Sequence, residues 1–93
     1  MEILQSPSFA RTVKKLKPNQ KKSLDKAIKE ISANPAIGEA KVGDLEGICV
    51  FKFNSGTLKF LLAYRVISKN QIKLLVIGPH ENFYRNAKRG EKL

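Results

Sequence analysis

Three runs of β-branched, aromatic and aliphatic residues follow one another in the second half of this chain, at residues 48–53, 58–67 and 71–77. Only short turn-forming segments separate them: Asn54-Ser55-Gly56 and then Ser68-Lys69-Asn70. Successive strands joined by tight turns pair with their chain neighbours, so this spacing predicts a three-stranded antiparallel meander.

The first half has a different texture. Residues 1–5 form a short apolar opening suited to an edge strand. Ser6-Pro7 then supplies a side-chain cap followed by proline at the first helical position. Beyond it Phe9, Val13 and Leu16 recur at helical spacing while Arg11, Lys14 and Lys15 fall elsewhere, which gives a helix with one buried and one basic side. Pro18 ends this helix and opens a second one, whose apolar stripe is Leu24, Ala27, Ile28 and Ile31. Lys21, Lys22, Lys26 and Lys29 cover its outer face, either as a solvated surface or as a contact for nucleic acid. Asn34-Pro35 and Gly38 stop the second helix, and the polar stretch to Gly47 reads as a loop. Residues 82–89 read as a short charged helix or turn and residues 90–93 as a frayed tail. The expected architecture is α+β in a single domain over residues 1–93. It has an N-terminal strand, a two-helix hairpin packed on one face of an antiparallel sheet, the C-terminal meander and a short terminal helix.

Charge narrows the partners. The chain carries 18 Lys and Arg against 8 Asp and Glu, a formal net charge of +10. Such an excess favours a polyanionic partner: nucleic acid, an acidic protein or an anionic surface. No apolar stretch approaches the roughly 18–20 residues that span a bilayer, and the N-terminus lacks a signal-peptide pattern, so a cytoplasmic protein without a membrane role is expected. The single cysteine, Cys49, has no second thiol for a disulfide or a metal cluster. It reads as a small buried or edge residue, with a catalytic thiol as the alternative.

The one histidine, His80, directly follows the last strand-like run, in the segment Gly78-Pro79-His80-Glu81-Asn82-Phe83-Tyr84-Arg85-Asn86-Ala87-Lys88-Arg89. Imidazole titrates near ~6.5, so His80 can serve as general acid or base at neutral pH; the alternative is a cap on the terminal helix. Tyr84 follows four residues later and would share a face with it on a helical turn, either at a site or as an anchor for the tail. Phe83 reads as a core anchor, and Glu81 as a structural charge. Lys52 stands between Phe51 and Phe53, and strand alternation turns it to the opposite side, toward the face without helices. Arg65 reads as pointing to the helices or lying at a strand end.

The order of elements, with Asp44-Leu45-Glu46-Gly47 before the meander, Ala63-Tyr64-Arg65-Val66 in its middle strand and Gly78-Pro79-His80-Glu81-Asn82-Phe83-Tyr84 after its last, resembles the RelE/ParE superfamily of bacterial toxins. The wording is closer to the RelE/YafQ-like branch. The resemblance implies the toxin of a type II toxin-antitoxin pair, with a cognate antitoxin as partner. RelE-like members are ribosome-dependent endoribonucleases that cut messenger RNA without metal or cofactor; ParE-like members poison DNA gyrase by binding. On the ribonuclease reading, His80 occupies the acid/base position and Tyr84 the aromatic one that stacks on a base or joins in proton transfer. Lys52 occupies the position of a catalytic lysine, holding the phosphate or accepting the 2′ proton. Arg85, Lys88 and Arg89 would contact RNA phosphate. The family's phosphate-binding arginine is replaced by Leu61, with Lys59 two residues earlier as a substitute, and a further lysine is replaced by Val50. Those two replacements leave three functions in play: a translation-inhibiting ribonuclease that cuts messenger RNA with its basic helical hairpin resting on ribosomal RNA, a gyrase inhibitor, and a non-toxic RNA- or protein-binding domain.

Overall fold

The computed structural model describes residues 1–43 and 46–79. In chain order it contains β1 (Glu2–Gln5), α1 (Pro7–Lys14), α2 (Pro18–Ala33), a 3-10 turn at Pro35–Ile37, β2 (Glu39–Ala40), β3 (Cys49–Ser55), β4 (Leu58–Ser68) and β5 (Gln71–Pro79). The five strands form one sheet in the order β1-β5-β4-β3-β2.

Local chemistry explains the starts of both helices. The Ser6 hydroxyl accepts from the Phe9 amide at 3.0 Å, with Pro7 at the first helical position. At α2, Pro18 again leads, and the Gln20 side chain accepts from the Lys17 amide at 2.9 Å. Phe9 from α1, and Leu24, Ala27 and Ile31 from α2, are buried. α1 lies over β5 and α2 over β3, so the hairpin covers one face of the sheet as its apolar stripes require.

The meander is antiparallel throughout, with Lys52 opposite Leu61, Phe53 opposite Phe60 and Leu62 opposite Ile77. Two-residue turns, Gly56-Thr57 and Lys69-Asn70, close its hairpins. On the helix side Phe53 and Phe60 stack across strands with ring centroids 5.7 Å apart, joined by Leu62, Tyr64, Ile72, Leu74 and Ile77. A second buried apolar cluster, of Ile48, Val50, Leu61, Ala63, Leu75 and Val76, belongs to the other face.

Two features depart from the sequence expectation. The sheet is mixed, because β1 pairs parallel to β5, with Ile3 opposite Ile72. A short strand's sequence does not encode its direction; that is set by where the helical hairpin returns the chain. The stretch read as loop also contains β2, whose two residues pair antiparallel with Cys49 and Val50. So brief a strand carries no periodicity to detect. The expected terminal helix, the tail and Asp44-Leu45 lie outside the described residues. Among the described residues no helix is long and apolar enough to cross a membrane.

Candidate functional site

Strand register assigns the faces. Directly opposite residues of an antiparallel pair point to the same side. Val50 and Ala63 are opposite one another and belong to the cluster away from the helices, so Lys52 opposite Leu61, and Asn54 opposite Lys59, share that side. Lys52 and Lys59 are diagonal neighbours there, at a Cβ spacing of about 7–8 Å for such pairs. Both are exposed, as is Asn54.

This corner is where the meander hands the chain on. Leu61 pairs on its other side with Gly78, and Phe60 with Pro79. The last described residue therefore stands one register step from Lys59. His80 is bonded to Pro79, but His80, Glu81, Phe83, Tyr84, Arg85, Lys88 and Arg89 all lie outside the described residues.

Next to Lys52 on this face the residues are core. Leu61 is 0% exposed and Val50 2%. The two positions that lack the cations of the ribonuclease pattern are thus inside an apolar cluster. A cation at Leu61 would have to be desolvated or displace its neighbours.

Arg65 requires a correction. It shares the parity of Lys59 and Leu61, and no irregularity of β4 intervenes, so it points away from the helices rather than toward them. It stands opposite Lys73 and lies against Gly47. Gly47 has φ +88°, and a Cβ there would overlap the Nη1 atom of Arg65. The sequence alternation around Arg65 contained this answer once the register with Lys52 was known.

A buried polar clamp holds β2 and the preceding turn. The Tyr64 hydroxyl donates to the Pro35 carbonyl at 2.6 Å and accepts from the Gly38 amide at 3.0 Å. Burial raises the phenol above its ordinary value of 10.0, opposed by the Gly38 N–H and reinforced by neighbouring Cys49. A Cβ at Gly38 would come within 2.5 Å of that hydroxyl. Cys49 is a half-buried free thiol in β3. Sequence reasoning overlooked Tyr64, whose place in an apolar strand reads simply as core.

A small α+β protein with a helical hairpin on one face of a five-stranded sheet, and exposed lysines at the exit of its meander, is the class that fold and surface define. Residues 3–88 match the family described as ParE-like toxin of type II bacterial toxin-antitoxin system. The chain belongs to that family. A search of curated proteins returned no match.

Proposed function

We propose that this toxin acts as a metal-independent, ribosome-dependent endoribonuclease on messenger RNA. The observation that carries the reading is the pairing of exposed Lys52 and Lys59 on one face, at the corner where β5 passes the chain to the segment bearing His80, Tyr84 and Arg85.

RNA contains its own nucleophile. The ribose 2′-oxygen attacks the adjacent phosphorus as its proton is removed, and the bond to the 5′-oxygen breaks as that oxygen is protonated. The products are a 2′,3′-cyclic phosphate and a free 5′-hydroxyl. The chain must supply a proton acceptor, a proton donor and positive charge for the phosphorane. His80 supplies proton transfer, Tyr84 stacks on a base or shares in that transfer, and Lys52 holds the phosphate or takes the 2′ proton. Lys59 stands in for the cation absent at Leu61, with Arg85, Lys88 and Arg89 as further phosphate contacts.

The test is induction of the chain in growing cells, followed by primer extension on a translated message. Codon-linked cleavage is expected, and His80→Ala combined with Tyr84→Ala should reduce it by at least about 10²-fold, the usual scale of general acid-base catalysis. Undiminished growth arrest in that double variant would sink the reading.

One observation favours a second reading, inhibition of DNA gyrase by binding. Leu61 and Val50 are buried apolar residues, so charge for phosphorane stabilisation is sparse on this face. Gyrase-linked DNA damage with intact messages would select this alternative.

A further inference from the structure

β1 is the outer strand at the end of the sheet opposite β2, and all four of its residues are exposed. The Glu2 amide donates to the Asn70 carbonyl at 2.6 Å and the Ser6 amide to the Leu74 carbonyl at 2.9 Å, so the backbone groups of Glu2, Leu4 and Ser6 face β5. Alternation turns those of Ile3 and Gln5 outward. Among the described residues no strand pairs with that outer edge.

Edge strands are commonly guarded by lysine, proline, a bulge or short length. Only shortness guards this one, because β1 contains neither lysine nor proline and keeps a regular register with β5. The charge pattern points the same way. None of the 18 Lys and Arg falls among residues 1–10, where Glu2 is the one charged side chain, and its carboxylate accepts from the Gln71 amide group at 2.6 Å. Ile3 and Leu4 are each 37% exposed. Such an edge offers no cation to a polyanion or an acidic protein. In a chain of net charge +10, it is where two copies can meet without bringing lysines into contact.

We propose that two copies of the chain pair β1 against β1, antiparallel about a two-fold axis at Leu4, so that their sheets become one. Ile3 of each copy exchanges main-chain hydrogen bonds with Gln5 of the other, and Leu4 stands opposite its own counterpart in the closer, non-hydrogen-bonded position. Leu4 pairs with Lys73, which stands opposite Arg65, so the two leucines meet on the face away from the helices. The two Lys73 residues lie three strand spacings apart, about 14 Å, beyond the screening length at physiological salt. Because α1 lies over β5, the two α1 helices are separated by a similar distance, more than the about 8–10 Å of packed helices. Arg11, Lys14 and Lys15, exposed on and just after α1, still repel across the axis. Salt should therefore strengthen this dimer, the reverse of its effect on a nucleic-acid complex. The corner with Lys52 and Lys59 lies on the strands away from the axis and stays open in both copies. The inference holds whichever target the toxin acts on.

The test is sedimentation velocity on the full chain from about 1 µM to about 500 µM, a range that reveals even weak self-association. A dimer should appear as concentration rises, in larger fraction at about 0.5 M than at about 0.05 M salt. Leu4→Lys sets like charges directly opposite one another and should weaken association at least about tenfold. In a Cys49→Ala background, Leu4→Cys should cross-link the dimer on mild oxidation, because the closer cross-strand position brings the two β-carbons within disulfide reach, whereas Gln5→Cys should not. A chain that stays monomeric over the whole range overturns the proposal. So does a dimer that Leu4→Lys leaves intact and Leu4→Cys fails to cross-link, since its contact then lies elsewhere. If these variants do not fold, amide exchange on the wild-type chain decides: the Ile3 and Gln5 amides should slow as concentration rises, and unchanged rates in a dimer overturn the pairing.

Discussion

The Ser6 hydroxyl donates a 2.6 Å hydrogen bond to the carbonyl of Leu75, across 69 positions of sequence, while accepting from the Phe9 amide that opens α1. Leu75 is the odd residue of a β-bulge: Tyr64 pairs with Leu74 and Ala63 with Val76, so Leu75 has no partner across the strand. The cap of the first helix thereby satisfies a backbone group that the bulge releases from the ladder. The bulge also sets which core each side chain enters. Ile72 and Leu74 face the helices, Leu75 and Val76 join the other cluster, and Ile77 returns to the helix side.

Ser6→Ala should therefore cost more than an ordinary cap. Loss of an N-cap is worth about 1 kcal/mol and an unsatisfied buried carbonyl about 1–3 kcal/mol, so a loss of about 2–4 kcal/mol is expected in urea unfolding. Ser6→Thr, which keeps the hydroxyl, should recover most of it. A change below about 0.5 kcal/mol in Ser6→Ala would show that the bridge contributes nothing.

Tyr64→Phe leaves the Gly38 amide and the Pro35 carbonyl without their partner and should destabilise by about 1–3 kcal/mol at neutral pH. The pH dependence has a definite sign. Because the folded-state phenol is raised, the unfolded chain ionises first, and the contribution of Tyr64 to stability is complete below pH 10.0 and falls as pH rises above it. Urea midpoints compared at pH 9 and pH 11 should fall more steeply for the wild type than for Tyr64→Phe. Parallel slopes would contradict this account.

Leu61→Arg restores the cation of the ribonuclease pattern at a position with no exposure. Thermal unfolding should show a loss of several kcal/mol, corresponding to about 4–8 °C per kcal/mol in a domain of this size, rather than a gain in activity. Leu61→Ala should cost about 2–5 kcal/mol through the cavity alone. An unaffected melting temperature in Leu61→Arg would mean that the centre of this face is accessible after all.

Ser55 is 5% exposed, and its hydroxyl has no hydrogen-bond partner among the described residues. Its replacement by alanine removes a buried polar atom at no cost in bonding, so stability should stay level or rise by up to about 1 kcal/mol. A clear loss in denaturant midpoint would reveal a bond formed in solution.

The meander, the two helix starts and the buried stripes were legible because each rests on short-range chemistry: β-branched runs between turn residues, proline after a capping serine, and apolar spacing of three and four. The parallel pairing of β1, the two-residue β2 and the bulge at Leu75 were not. Each depends on contacts between segments far apart in sequence and leaves no local period. Alternation turns Lys52 to the side away from Phe51 and Phe53, and the register, with Lys52 opposite Leu61, adds Lys59 to that face. Of the two places open to Arg65, pointing to the helices or lying at a strand end, the first is excluded by the pairing of Lys52 with Leu61, which alternation within a single strand does not reveal.

Sequence alone determined the charge balance and the order of the main elements: a chain of net charge +10, two amphipathic helices each opened by a proline, and three strands meeting tight turns. Those follow from side-chain chemistry within a few residues. Tertiary structure decided the sheet order, the phase change at Leu75 and the burial of Leu61 beside Lys52. Among the described residues it also left the edge of β3 unpaired with β2 beyond Val50. Burial and backbone pairing are properties of which segments meet, and they exist only once the hairpin has packed on the sheet.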